Sequence, residues 1–214
     1  MTEVFYDHLA KTRHQIHQHP EVSEEEHETT VFLKGYLKNL GIEPLNYPLK
    51  TGLIAEIGSG YPIIALRADI DALPIKEKTG LPYASNNGAM HACGHDGHTA
   101  MLLAAAQYLA SHRDFDGTVY LIFQPAEEGG GGAREMIKEG LFERFPMQAV
   151  FGMHNWPGMA AGCFAVSPGP VMASSNEFKI TIHGKGGHAA MPHTGIDPVP
   201  IACQMVQAFQ TIIS

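Results

Sequence analysis

The 214-residue chain sets 14 Lys plus Arg against 22 Asp plus Glu, for a formal charge of −8, and is 44% hydrophobic and 17% charged. This is the balance of a globular chain that can bury a core, long enough for one domain or one and a part, with no basic stripe to engage nucleic acid or an anionic membrane surface. Cys93, Cys163 and Cys203 are too few and odd in number for a disulfide framework, the N-terminus lacks an apolar signal core, and no stretch reaches the ~18 apolar residues of a membrane span, so a reducing, cytoplasmic setting is expected.

The chain opens with an amphipathic helix in which Phe5, Leu9, Thr12 and Ile16 fall near helical spacing, ended by His19-Pro20. Ser23 with Glu26 three residues on has the form of a capping box for a second helix. Val31, Phe32, Tyr36, Leu37 and Leu40 supply its stripe, and Gly41 its stop. His14, His17, His19 and His27 read as surface or helix-end residues. From Ile42 the pattern shifts to short apolar runs, with strands expected over 52–58 and 61–69. The second, continuous from Ile63 to Leu66, reads as buried on both faces and ends in Arg67-Ala-Asp69-Ile-Asp71. Carboxylates at i and i+2 there point to one side, where ligands of open α/β sheets bind, so Asp69 reads as an orienting partner of a metal ligand or as a bridging carboxylate.

Met90 to Ala104, MHACGHDGHTAMLLA, then concentrates one thiol and three imidazoles within nine residues. His91, Cys93, His95 and His98 together point to a bound metal, and thiolate with imidazole suits Zn or a similar first-row ion. Gly94 permits the turn that lets Cys93 and His95 converge, and the run from Thr99 reads as a buried helix.

A buried strand over 117–123 leads into Gln124-Pro-Ala-Glu127-Glu128 and four glycines. Neighbours in an extended segment point to opposite sides, so one of the two glutamates can bind metal while the other faces a substrate water. No Lys-Ser/Thr follows the glycines, so a phosphate loop is excluded. A helix is expected over 133–141, and a strand over 148–153 delivers His154, the third polar group placed at a strand end. A strand over 162–166 and a Pro/Gly hinge follow. From Asn176 the character changes to an alternating strand, a Gly-rich turn and a helix from Asp197-Pro198 to Ile213.

RADIDALP, MHACGHDGH, QPAEEGGGGA, GMHNWP and GKGGHAAMP, in this order, resemble the aminoacylase/carboxypeptidase-like dinuclear metallohydrolases, in the branch of hippurate hydrolases, auxin-conjugate amidohydrolases and N-acetyldiaminopimelate deacetylases. The resemblance implies an α/β, mixed-sheet catalytic domain with helices on both faces, here residues 1–173, followed over 174–214 by the start of an inserted α+β lid that dimerises. It implies two divalent ions (Zn, Mn, Ni or Co), with Cys93, His95, Glu128 and His154 as ligands, Glu127 as general base, Asp69 as supporting carboxylate and His188 as a lid histidine that polarises the scissile carbonyl. Arg67 stands where other branches place a metal-binding His. The implied reaction is hydrolysis of an N-acyl amino acid by a metal-activated water, in a homodimer or tetramer joined through the lid. Family members run to nearly twice this length, so the chain is expected to lack the C-terminal part of the fold, as a truncated product, the product of a split gene or an incomplete sequence. Two other readings stay open: a metal-binding but inactive fragment, and an oxidoreductase or lyase using the same ligands, which the absence of any G-x-G-x-x-G after a strand disfavours.

Overall fold

The computed structural model describes residues 3–212. Contacts divide the chain into two compact units, Met1–Met159 and Ala160–Ser214. The first is built on a four-stranded mixed sheet in the order β1-β3-β2-β4, from β1 (Leu53–Ser59), β2 (Ile63–Asp69), β3 (Gly117–Gln124) and β4 (Ala149–Gly152). β2, β3 and β4 run parallel and β1 antiparallel to β3, so the carboxyl ends of the three parallel strands share one edge.

β3 is buried along its whole length, and its alternate side chains feed two cores. Val119, Leu121 and Phe123 pack with Ile16 of α1 (Glu3–Gln18), Leu33 and Leu37 of α2 (His27–Asn39), and Leu102, Leu103 and Ala106 of α3 (His95–Ser111). Tyr120 and Ile122 pack on the opposite face with Met136 of α4 (Gly132–Lys138) and Leu141 of α5 (Leu141–Arg144). Helices therefore cover both faces of a mixed sheet, as expected.

The local differences from the sequence reading have physical causes. No capping box forms, because Ser23 donates to Asp71 Oδ2 (2.7 Å) and the Glu26 carboxylate faces Thr51. Glu21 takes the capping role instead, accepting the N–H groups of Glu28 (3.0 Å) and Thr29 (2.7 Å). The buried stripe of α2 runs through Thr30, Leu33 and Leu37, leaving Val31 exposed. Gly41, with φ +71, ends that helix in a left-handed cap, with Ile42 N–H on Leu37 O (3.0 Å). The helix expected over 133–141 breaks at Gly140 (φ +81) into α4 and α5.

In the second unit, among the described residues, 162–166 and 177–183 form no strand. A single antiparallel bridge joins Lys185 to Ile196. The helix α6 (Pro198–Gln210) starts as expected, with Pro198 in its first turn and the Asp197 carboxylate accepting the Val199 N–H (2.9 Å).

One polar anchor fixes the long connection between β2 and α3. Glu77 accepts hydrogen bonds from Thr79, from Ser85 N–H (2.6 Å) and from His17 Nε2 (3.1 Å), tying the loop to α1. Burial pushes its carboxyl up, but these bonds and the His17 charge outweigh that and bring the pKa down to about 2 from an ordinary 4.5. Below 4.5 the unfolded chain takes up a proton that the folded chain refuses, so this contribution is complete above about 4.5 and fades as pH falls towards 2. Glu77→Gln should accordingly lower Tm at pH 7, with the deficit shrinking below about pH 4.5; a deficit constant from pH 7 to 3 would show that the charge is not what holds the loop.

Candidate metal centre

Three loops leave the shared carboxyl edge of β2, β3 and β4, and α3 begins there. The end of β2 supplies Asp69 and Asp71, the end of β3 supplies Glu127 and Glu128, and the end of β4 supplies His154. Such an edge is where open α/β sheets place their ligands, because the strand ladders end and side chains converge. α3 begins at His95 rather than Thr99, with Gly94 as a left-handed N-cap (φ 97). His95 and His98 therefore lie one turn apart on the helix itself, while Cys93 precedes it. A Cβ on Gly94 would stand 2.5 Å from Asn155 Oδ1, so both backbone conformation and space demand glycine here.

His95 is the centre of the arrangement. Its Nδ1 is held by the Asp71 carbonyl oxygen (2.9 Å) and Asp71 Oδ1 (3.1 Å), so the proton sits on that nitrogen. Its Nε2 is buried without a hydrogen-bond partner, as is Glu128 Oε1. That Nε2 lies 3.6 Å from Asp69 Oδ2, 3.8 Å from Glu128 Oε1 and 4.0 Å from Glu127 Oε2. These gaps are too long for hydrogen bonds. Donors about 2.0–2.3 Å from one tetrahedral ion stand roughly 3.5 Å from each other, so the spacing fits a cation among them.

Two donor groups, each with ligand atoms within 4.8 Å of one another, share His95: Cys93, His95 and Glu128 in one, and Asp69, His95, His98 and His154 in the other. Cys93 Sγ lies 3.5 Å from His154 Nε2 and links the two. Cys93, His95, Glu128 and His154, the ligands that the resemblance implies, thus each fall in one or the other group, with Asp69 in the second and Glu127 facing His95 Nε2. His188 belongs to the second unit, where its Nδ1 accepts the Ala190 N–H (3.2 Å).

The carboxylates are differently supported. Burial pushes Asp69 up, but the hydrogen bond from His98 (2.6 Å) and the charges of Arg67 and His95 outweigh it and hold the carboxyl well below its usual range. Arg67 Nη1 donates to Asp69 Oδ2 (2.8 Å) and its Nε to Gln124 Oε1 (2.8 Å), so this position serves the site as an ion-pair partner. Asp71 is lowered too, because the bonds from His95, Glu128 N–H and Ser23 outweigh burial. Burial lowers His95, but Asp71 and the surrounding carboxylates raise it on balance. Burial, Glu128 and Glu127 together push the Cys93 thiol up to about 12, so a thiolate there requires a positive charge beside it.

Three residues were misjudged or missed from sequence. Asp71, given no role from sequence, orients His95 while Asp69 holds His98, and the i, i+2 spacing of the two was the available signal. His17 is buried, not a surface residue, and its Nδ1 contacts Asp96 Oδ2 (2.9 Å) together with Arg13 Nε (2.9 Å) at the first turn of α3. His91 lies in neither donor group, is buried with both ring nitrogens unpartnered, and is held down to about 4 by burial.

The sequence comparisons agree with this geometry. Residues 65–214 match the model of peptidase family M20/M25/M40, and the chain belongs to that family. It is 53% identical over 96% of its length to an N-acetyl-L-cysteine deacetylase of Bacillus subtilis (strain 168), covering 50% of that protein. It is 46% identical over 95% of its length to a hippurate hydrolase of Campylobacter jejuni, covering 54%. The crystal structure of the Bacillus subtilis YXEP protein, described as a dinuclear metal binding peptidase from the M20 family, superposes on 73% of the chain and 45% of its own with a TM-score of 0.70 at 48% identity. The chain thus spans about half the length of the curated relatives it matches.

The glycine at the start of α3 gives a direct test of the geometry. Gly94→Ala combines an unfavourable φ with a collision at Asn155 and should destabilise the fold by about 2–4 kcal/mol, read by thermal or urea unfolding. Unchanged stability would mean that the Asn155 loop does not lie against the helix start.

Proposed function

We propose that this chain carries the metal-binding part of an amidohydrolase that cleaves N-acyl amino acids. The observation that carries the reading is the buried, unpartnered Nε2 of His95 facing three carboxylates at 3.6–4.0 Å, the donor set of a cation site. The named relatives, an N-acetyl-L-cysteine deacetylase and a hippurate hydrolase, supply the substrate class. In this reading Cys93, His95, Glu128 and His154 are ligands. Asp69, tied to Arg67 and His98, supports the site from beneath. His98 is taken as a buttress, because its Nδ1 is engaged by Asp69 and its Nε2 accepts the Asn155 N–H (3.0 Å).

Bound divalent ions would lower the pKa of a water and polarise the amide carbonyl. Glu127, the more exposed of the glutamate pair at 43% against 22%, is the base. Its carboxylate takes a proton from the attacking water as the water oxygen bonds to the acyl carbon, the C–N bond breaks as Glu127 returns that proton to the amine nitrogen, and the acid formed gives its remaining proton to the amine, leaving a carboxylate and a free amino acid. Residues from 174 onward are read as the start of the lid, with His188 on the substrate carbonyl and the whole protein a homodimer or tetramer. Three free cysteines favour a reducing, cytoplasmic setting. Zn or Mn is the preferred ion class for this mixture of sulfur, nitrogen and oxygen donors.

The reading is tested in the full-length protein with N-acetyl and N-benzoyl amino acids and metal analysis. Glu127→Gln should retain metal while losing about 10²-fold or more in kcat, since the proton acceptor is gone and the shape remains. Glu128→Gln should lose metal first. Exchanged phenotypes would exchange the two roles, and a metal-free, inactive wild type would sink the proposal.

Cys93→Ser separates ligation from packing. An alcohol is a far weaker anionic ligand than a thiolate, so metal stoichiometry or affinity should fall with little change in the metal-free protein's Tm. Full occupancy in the serine variant would remove Cys93 from the ligand set.

A further inference from the structure

Glu26 lies in neither donor group, yet it is 0% exposed. Its carboxylate is held by neutral donors, the Thr51 hydroxyl on Oε2 (2.7 Å) and the Ala126 N–H on Oε1 (2.7 Å). A buried carboxylate without a counter-cation is an expensive way to fill space, and burial raises its pKa against the pull of those two bonds. Its position is explained by what it grips. Ala126 has φ 50, one of two non-glycine residues with positive φ among those described, and an L-residue adopts that conformation only when its surroundings impose it.

The kink at Ala126 is where the chain leaving β3 turns into Glu127 and Glu128. The loop then closes through Gly132 N–H on Ala126 O (2.9 Å), so tightly that a Cβ on Gly132 would stand 1.9 Å from Pro125 O. Ala126 is itself 3% exposed, and its buried N–H finds its acceptor in a side chain 100 residues away in sequence. From this we infer that Glu26 is a positioning residue: by accepting the Ala126 N–H it fixes the left-handed turn that aims Glu127 and Glu128 at His95 Nε2. The inference rests on the proposed metal-binding reading of that pair.

The test uses the full-length protein stripped of metal and titrated with Co²⁺, read by its visible absorption, with thermal unfolding of each metal-free form alongside. Glu26→Gln can still accept the Ala126 N–H through Oε1 while its amide donates to Thr51, so it should bind Co²⁺ within about threefold of wild type. Glu26→Leu fills the space without an acceptor and should weaken binding about tenfold or more, the usual cost of losing a group behind the ligands, and should change the Co²⁺ spectrum. Ala126→Gly on the Leu background should recover much of that loss, because glycine takes a positive φ freely. A Leu variant with lower Tm but wild-type Co²⁺ affinity and spectrum would overturn the inference and leave Glu26 a stabilising residue only. Weakened binding that Ala126→Gly does not recover would overturn the backbone route. Should Glu26→Leu not fold, Glu26→Asp decides: one methylene too short to hold both donors, it should bind Co²⁺ more weakly, and wild-type binding would sink the idea. A wild type that binds no Co²⁺ would overturn the metal reading as well, whereas equal binding by wild type and variants overturns the role of Glu26 alone.

Discussion

The Asp71 carboxylate is the joint on which the candidate site depends. Four segments meet on it: its own residue follows β2, Ser23 reaches it from the turn between α1 and α2, Glu128 N–H from the loop after β3, and His95 Nδ1 from the start of α3. Each is a charge-assisted bond, stronger and more directional than a neutral one. Because one oxygen pair satisfies three donors, the loops cannot drift independently. The consequence is chemical as well as mechanical, since fixing the proton on Nδ1 leaves Nε2 as the free lone pair of His95.

That arrangement concentrates negative charge at one edge of the sheet. Asp69, Asp71, Glu127 and Glu128 all stand about His95, and the guanidinium beside them, that of Arg67, is engaged with Asp69 and Gln124. Burying carboxylates without matching cations is costly. A fold accepts the cost where a cation is to be held, and the neutral Gln124 amide that turns Arg67 towards Asp69 leaves Glu128 facing His95. Burial and the same field both raise the Cys93 thiol, whereas for the His95 imidazole burial lowers and the field outweighs it.

What could be read from sequence was whatever depends on local pattern. The unbroken apolar run of β3 gives two-faced burial directly, and local pattern brings Cys93 and His95 together and sets Glu127, Glu128 and His154 after strands, whereas the choice of Glu128 over Glu127 as a ligand rests on the family resemblance. What failed depends on partners distant in sequence. Ser23 and Glu26 have the spacing of a capping box, but their side chains are claimed by Asp71 and Ala126, 48 and 100 residues away, and a helix cap worth about 1 kcal/mol cannot compete with those ties. His17 resembles its neighbours His14 and His19 in sequence, and only the packing of α1 on α3 places it against Asp96. In the second unit the alternation of Phe178, Ile180 and Ile182 satisfies a strand pattern, but a strand needs a neighbour to complete its hydrogen bonds, and among the described residues 177–183 remain unpaired as strand.

The first forty residues therefore do more than cover one face of the sheet. Arg13 and His17 hold Asp96 at the start of α3, Ser23 holds Asp71, and Glu26 holds Ala126, so each of the three loops carrying site residues from β2, β3 and the head of α3 has a tether from the α1–α2 pair. Strand ladders alone cannot provide this, because they end at Asp69 and Gln124, where the functional side chains begin. Beyond the last ladder pair the backbone keeps only isolated links, such as Ala72 N–H on Glu21 O (2.8 Å) and the Leu73–Met90 bridge, and side chains add the remaining ties. A helical hairpin laid across the edge supplies them from a rigid element, and this explains why its buried polar residues, rather than its apolar stripe, are the ones that resist a reading from periodicity.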